Sequence, residues 1–360
     1  MTLPPATEAP PAPARAGGGR GGLGRLARYG RPGQGARDAL ARFLLGLAAA
    51  VPAAALAFLA YQMVRSAYPS IVFNGWQFFT TKTFTFGNLY GTAQVCRHGF
   101  CAAQGAHFGA LPFIFGTLVS SLIALVLAVP VAVAGAVFLA ERIPARLQGS
   151  LGIFLELLAG IPSVIFGLWG VYTLGPFLAR TVYTWIAALH LPWLSGPPGK
   201  GEGLLTASVV LAVMIVPIVA TITRELVRSV PQVAKEGATA LGLTGWETVR
   251  VVTIPFVRTG IVAAAVLGWA RALGETIAVL IISGNLLNSF PHSIFDPFST
   301  MASTIAAMLD SALTDPTHMA LHALAQVGLV LLGITLLTNL GGRLLTRRFS
   351  DAGLPVGRGV

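Results

Sequence analysis

Residues 261–283 read IVAAAVLGWARALGETIAVLIIS, an apolar run from Ile261 to Ser283 interrupted by Arg271 and Glu275. Such a run suffices to cross a bilayer, for which about 20 residues are needed. A charge near the centre of a span costs about 2.5–3.5 kcal/mol on insertion scales, so ionisable residues there face protein or water and serve a function. Arg271 and Glu275 stand four residues apart, which places them on one face of a continuous helix. That face is expected to be the one the protein works with.

The rest of the chain agrees with a membrane setting. Of 360 residues, 54% are hydrophobic and 10% charged, against about 25% charged in a soluble domain. Six runs read as spans: 43–63, 110–140, 151–175, 204–223, 261–283 and 319–340. The fold class is therefore all-α, a polytopic integral membrane protein with six transmembrane helices. A net charge of +11 suggests nucleic acid, but its placement does not. With the N-terminus inside, eighteen Lys and Arg fall on inner segments and five on outer ones. This is the positive-inside pattern, so the implied partner is the lipid bilayer of a bacterial plasma membrane and no nucleic acid, with both termini cytoplasmic.

Residues 1–38, rich in Pro, Ala, Gly and Arg, read as a disordered basic cytoplasmic tail. Residues 39–108 hold the first span and an outer loop, 109–345 the core, and 346–360 a second cytoplasmic tail. Cys96 and Cys101 lie in the outer loop, where a disulfide and two free thiols are both compatible with the sequence. Two cysteines are too few to argue a metal site. Trp76, Phe78, Phe79, Phe84 and Phe86 in the same loop read as an interfacial belt.

Span two carries Thr117, Ser120 and Ser121, hydroxyls that suit a passing anion or a neighbouring helix equally well. Span three begins at Glu156, with Ala159, Ser163 and Gly167 as a small-residue stripe and Pro162 as a possible kink. Span five repeats the small spacing at Gly260, Ala264, Gly268 and Ala272, about 100° around the helix from the charged pair. The loop 176–203 suggests a short interfacial helix, and Phe298 to Leu309 a partly inserted one. His322 in span six reads first as an interhelical hydrogen-bonder.

The inner loop 229–255 is the only sizeable one. Ser229-Val-Pro-Gln232 reads as a capping box, Gly242 as a left-handed helix stop, and Thr244-Gly-Trp-Glu247 as a second capping box. Pro255 is expected to halt the second helix, giving two short helices with a sharp turn at Gly242.

Glu236-Gly237-Ala238, Gly242 and Val252-Thr-Ile254-Pro255 resemble the EAA loop of ABC-importer permeases, with Gly237 where Ala is usual. The stretches Glu156 to Gly170, Arg271 to Val279 and Phe298 to Ile305 are similar to the PstC-type permease subunits of phosphate importers. The resemblance implies an importer core of the type I, MetI-like kind, in which Glu236, Gly237, Ala238, Gly242, Ile254 and Pro255 couple to an ATPase. It implies a second permease of the PstA type, two ATPase subunits of the PstB type and an external phosphate-binding protein of the PstS type. ATP and Mg would be bound by the ATPase; this chain has no Gly-x-x-x-x-Gly-Lys-Ser/Thr loop and is expected to carry no cofactor and no catalytic residue of its own.

For phosphate, Arg271 supplies a charge that persists when buried and a fork that takes two oxygens. Glu275 can accept the P–OH hydrogen that phosphate keeps at neutral pH and repels a fully ionised oxyanion. Thr117, Ser120, Ser121 and Glu156 are further candidates along the path. The competing readings are an Arg271–Glu275 bridge that only stabilises the span, a permease for sulfate or molybdate, and an intramembrane enzyme using Glu156 and Glu275 as a carboxylate pair.

Overall fold

The computed structural model describes residues 34–188, 193–194 and 199–351. Residues 1–33 and 352–360, the greater part of both expected tails, lie outside the described residues, as do 189–192 and 195–198 of the outer loop. The chain falls into two units, up to Leu59 and from Ala60. In the first, helix α1 (Gln34–Asn74) is exposed from residue 39 to 59.

In the second unit, the residues of α1 from Ala60 onward bury Ala67, Ser70 and Phe73. The short α2 (Gln77–Thr80) follows. Strands β1 (Phe84–Thr85) and β4 (His107–Phe108) pair antiparallel and enclose the hairpin of β2 (Gln94–Arg97) and β3 (Phe100–Ala103). Cys96 faces Cys101 across that hairpin, and the two are disulfide-bonded. The aromatics do not form a belt here. Phe78, Phe84 and Phe86 are buried with Phe73, Phe108 and Phe113, and Phe84 meets Phe108 and Phe113 edge-on at 5.7 and 5.4 Å. Edge-to-face rings favour such a cluster beyond simple area burial, and only Trp76 of the set stays well exposed.

α3 (Leu111–Glu141) opens with Pro112, where a missing N–H costs nothing. It packs along α8 (Leu204–Arg228). The contact rests on Ala124, Ala128, Ala132 and Ala136, each wholly buried at spacing four, a row of small side chains that lets two backbones approach. α4 (Ala145–Ala159) and α5 (Ser163–Trp169) occupy the place expected for span three. After a π-helical turn at Gly170–Leu174, α6 (Gly175–Arg180) and α7 (Val182–Ala187) complete this stretch, α7 falling within the loop expected to hold a short helix.

α9 (Gln232–Ala240) and α10 (Gly245–Thr248) form the hairpin, and α11 (Ile254–Leu273) and α12 (Ile277–Ile282) make span five. α13 (Met301–Leu313) starts on a capping box of Thr300 and Ser303, within the segment expected to hold a helix. α14 (Met319–Asp351) ends the described chain. His322 Nδ1 lies 2.7 Å from the Ser66 carbonyl, and Ser70 donates to Gln326 at 2.6 Å, so His322 and Gln326 are spent on helix pairing.

Among the described residues five helices are long and apolar enough to cross a membrane, and six spans result if the bent pair 146–180 is one of them.

Candidate functional site

Two spans are broken, and one of the breaks lies at the candidate site. In span three, helices 146–159 and 163–180 meet at 85°. Gly160 caps α4 by donating to the Glu156 and Leu157 carbonyls, and Pro162 opens α5 with extended backbone. Proline lacks the N–H that would continue the ladder, and its ring crowds the preceding turn. The stripe Ala159–Ser163–Gly167 is therefore divided by the bend and does not lie on one helical face.

In span five, α11 ends at Leu273, Glu275 lies between helices, and α12 begins at Ile277. Gly274 donates to the Arg271 carbonyl and Glu275 to that of Ala272. The expectation of a single continuous helix face for Arg271 and Glu275 is corrected: Arg271 stands on the last turn of α11, Glu275 in the gap. A cation on a last turn is favoured by the helix dipole. The two residues still come together, since both line a shallow recess with Leu211, Met214, Ile215 and Ala272, too tight in this conformation to admit a water-sized group. Among the described residues neither joins an ion pair, so the intrahelical bridge is absent. Arg271 is exposed and Glu275 half-buried.

The small stripe of span five packs as expected. A Cβ on Gly268 would sit 2.6 Å from Ile215 Cγ2, and one on Gly260 2.3 Å from Leu226 Cδ1, both on α8. The two broken spans also touch. A Cβ on Gly167 would lie 3.1 Å from Ala278 Cα, and one on Gly170 2.6 Å from Ile282 Cδ1. The stretches 156–170 and 271–279 thus meet through α5 and α12.

The other candidate residues lie elsewhere. Thr117, Ser120 and Ser121 are buried. Thr117 Oγ1 donates to the Phe113 carbonyl and accepts the Met301 N–H at 2.9 Å, fixing the start of α13. Ser120 donates to the Thr117 carbonyl, and Ser121 accepts the Trp269 indole N–H at 3.0 Å. Glu156 is exposed on α4 and does not line the recess of Glu275, so the two carboxylates do not form the paired arrangement an acid–base enzyme needs.

At the other end of α3, the hairpin follows its local signals in part. Ser229 is the last-turn residue of α8 and donates to the Leu226 carbonyl; α9 starts instead after Pro231, with no side-chain cap. Gly242 has φ +86°, and the Gly242 and Leu243 N–H groups return to the Thr239 and Ala238 carbonyls, closing α9 with a left-handed glycine cap. Thr244 and Glu247 form the full capping box, with the Thr244 N–H donating to the carboxylate at 2.7 Å.

Pro255 does not halt the second helix. α10 runs through a π-helical turn at Val249–Thr253 into α11, giving one helix from Gly245 to Leu273. The wider turn absorbs the residue whose hydrogen bond proline forfeits. The hairpin's second arm and Arg271 consequently sit on one rod, about 43 Å long at 1.5 Å per residue.

Sequence reasoning missed Glu141, the last residue of α3. Its Oε1 takes Lys235 Nζ of α9 at 3.0 Å and the Thr253 hydroxyl of the π-turn at 2.9 Å. One carboxylate therefore holds both arms of the hairpin. A second clamp lies beside it: Arg224 and Arg228 of α8 donate to the Gln148 carbonyl and side chain, and Gln148 donates to the Ala140 and Ile143 carbonyls. Glu236 and Gly237 are exposed and Ala238 buried, while Val233, Leu241 and Trp246 present apolar surface outward. A Cβ on Gly237 would meet nothing.

The family profile described as "Binding-protein-dependent transport system inner membrane component" matches residues 129–351. Over 324 residues the chain is 50% identical to the phosphate transport system permease protein PstC 1 of Mycobacterium tuberculosis, covering 89% of this chain and 96% of that one. The phosphate transport system permease protein PstC of Pasteurella multocida is 35% identical over 300 residues, covering 81% and 88%. Among solved structures, an inward-facing conformation of the MetNI methionine ABC transporter is 20% identical, covers 67% of this chain and 94% of that one, and has a TM-score of 0.47.

Proposed function

The chain belongs to the family of binding-protein-dependent transport system inner membrane components, and from that premise we propose that it is the permease subunit of an ATP-driven phosphate importer. It contributes half of the translocation path. The names of its relatives support phosphate as cargo, and the chemistry of the recess suits that cargo. Arg271 offers a permanent positive charge in a region of low dielectric. Glu275 accepts a P–OH hydrogen and disfavours anions that have none.

The observation that carries the reading is the unbroken helix from Gly245 to Leu273. A push on the hairpin by an ATPase reaches Arg271 without crossing a loop, and the break at Gly274–Thr276 lets α12 respond separately. Glu236, Gly237, Ala238 and Gly242 present the hairpin's first arm to that partner, while Ile254 and Pro255 lie where its second arm becomes the rod. A second permease, two ATPase subunits that bind ATP and Mg, and an external binding protein complete the assembly. The excess of Lys and Arg on the hairpin side supports a cytoplasmic location for both termini and the hairpin.

The test is uptake of labelled phosphate by the assembled complex in proteoliposomes. Arg271→Ala is expected to lower uptake roughly 10- to 100-fold, the equivalent of about 1.5–3 kcal/mol for a lost charge-assisted contact. Unchanged uptake with unchanged coupling to ATP would remove Arg271 from the path.

A further inference from the structure

The end of the rod away from Arg271 and Glu275 has its own site-like feature. Between the last turns of α3 and the hairpin's second arm lies a recess of about 650 Å³, within the range of small-molecule sites. Its wall is apolar, with Val133, Val137 and Phe138 from α3 and Ile254 from the rod. Trp246, Arg142 and Arg250 line it as well. Phe138 is 59% exposed and Trp246 65%, so a large apolar surface is left to be covered. Among the described residues neither arginine joins an ion pair. The Arg142 guanidinium lies close to Gly245, beside Trp246: a Cβ there would be 3.1 Å from its terminal nitrogen.

An apolar trough, an amphipathic indole and two uncompensated guanidinium groups at the end of a membrane helix match one occupant in hydrophobicity and charge. We infer that this recess binds an anionic phospholipid, with an acyl chain along Val133, Val137 and Phe138 and the headgroup phosphate at Arg142 and Arg250. Basic pockets between helices recognise anionic headgroups in this way, and each Lys or Arg at a membrane surface contributes about fivefold in lipid partitioning. The bound lipid bridges α3 to the hairpin arm, next to the Glu141 clamp. This rests on membrane embedding alone, and it holds or fails independently of the transported anion.

The experiment uses the assembled complex in nanodiscs of phosphatidylcholine containing brominated phosphatidylglycerol or, at equal mole fraction, brominated phosphatidylcholine. The signal of Trp246 is the fluorescence lost on Trp246→Phe. Quenching by the brominated phosphatidylglycerol is expected to show an affinity roughly 25-fold above that of the zwitterionic lipid, about fivefold per arginine. Arg142→Gln with Arg250→Gln should bring the two lipids to parity, and Lys at both positions should retain the preference, since a point charge suffices. Ala134→Phe, which narrows the trough and leaves both arginines, should reduce quenching by either lipid. Equal quenching by the two lipids in the native complex would overturn the inference. So would no quenching by either, which would mean a protein partner covers the groove. Displacement of the lipid by inorganic phosphate would assign the arginines to the transported anion and likewise overturn it.

Discussion

Span three carries Pro162 and folds back by 85° at that point, whereas span five carries Pro255 and passes through it as one helix. The same imino acid sits at both sites, so proline alone does not decide a break. At Pro162 the preceding Gly160 ends its helix with its own cap bonds and the chain turns. At Pro255 a π-turn of five residues widens the ladder and the helix continues. Span five then breaks where no proline stands, at Gly274-Glu275-Thr276, beside the charged recess. One interruption arises from local covalent chemistry. The other has no proline and coincides with the groups proposed to meet the cargo.

Crowding the contact where the two broken spans meet should have the largest effect. Gly167→Leu places a side chain against Ala278 and Ile281, and such overpacking costs up to about 3 kcal/mol. Thermal unfolding of the complex in detergent should show it; an unchanged transition would mean that α5 and α12 are not held together. Next comes Glu141→Gln, which leaves Lys235 without its carboxylate. A lost charged hydrogen bond is worth roughly 2 kcal/mol, less here because both side chains keep some exposure. The measurable sign is ATP hydrolysis that outruns phosphate uptake, with Lys235→Gln adding little further; full additivity of the two would refute the pair.

Thr244→Ala removes the cap of the hairpin's second arm at a cost of about 1 kcal/mol. Faster amide exchange at Glu247 and the following residues should report it, with the bend at Pro162 unaffected. Gly274→Ala should act most gently on the fold. Its new methyl group would come no closer than 3.8 Å to the nearest carbonyl, and alanine favours helix by roughly 0.5–1 kcal/mol. Partial closure of the break should shorten spin-label distances between α11 and α12 and slow uptake. Unaltered distances would show that the gap is fixed by Glu275 and Thr276 rather than by the glycine.

The local signals that the sequence shows most clearly are those completed within a few residues. Gly242 as a left-handed stop and Thr244 with Glu247 as a capping box need only their own turn, and both form. Ser229 fails as a cap because the end of α8 claims it first. The passage of α10 through Pro255 was not legible, because a π-turn requires one residue too many in the ladder and leaves no mark in composition. Phe78, Phe84 and Phe86 suggested a belt because burial depends on Phe108 and Phe113, brought up from beyond the disulfide hairpin. The alanine row from Ala124 to Ala136 did stand in the sequence, at the same spacing of four that marked Gly260 and Gly268. In the candidate site, the nearness of Arg271 and Glu275 was legible; the gap between them was not, since Gly274 in a helical conformation looks like any other helical glycine.

The 29-residue helix from Gly245 to Leu273 is, in mechanical terms, a lever with two soft points. Its small-residue face is notched at Gly260 and Gly268 by Leu226 and Ile215 of α8, so the rod is guided by that helix. Tilting a rod of ~43 Å by ~5° about its midpoint carries each end ~2 Å, taking 1.5 Å per residue for its length. Compliance is concentrated in the π-turn near one end and in the gap at Gly274 at the other. Under the proposed function, a stroke delivered at the hairpin would be shared between bending at Val249–Thr253 and displacement of Arg271, and the stiffness of that single wide turn would set the gearing between them.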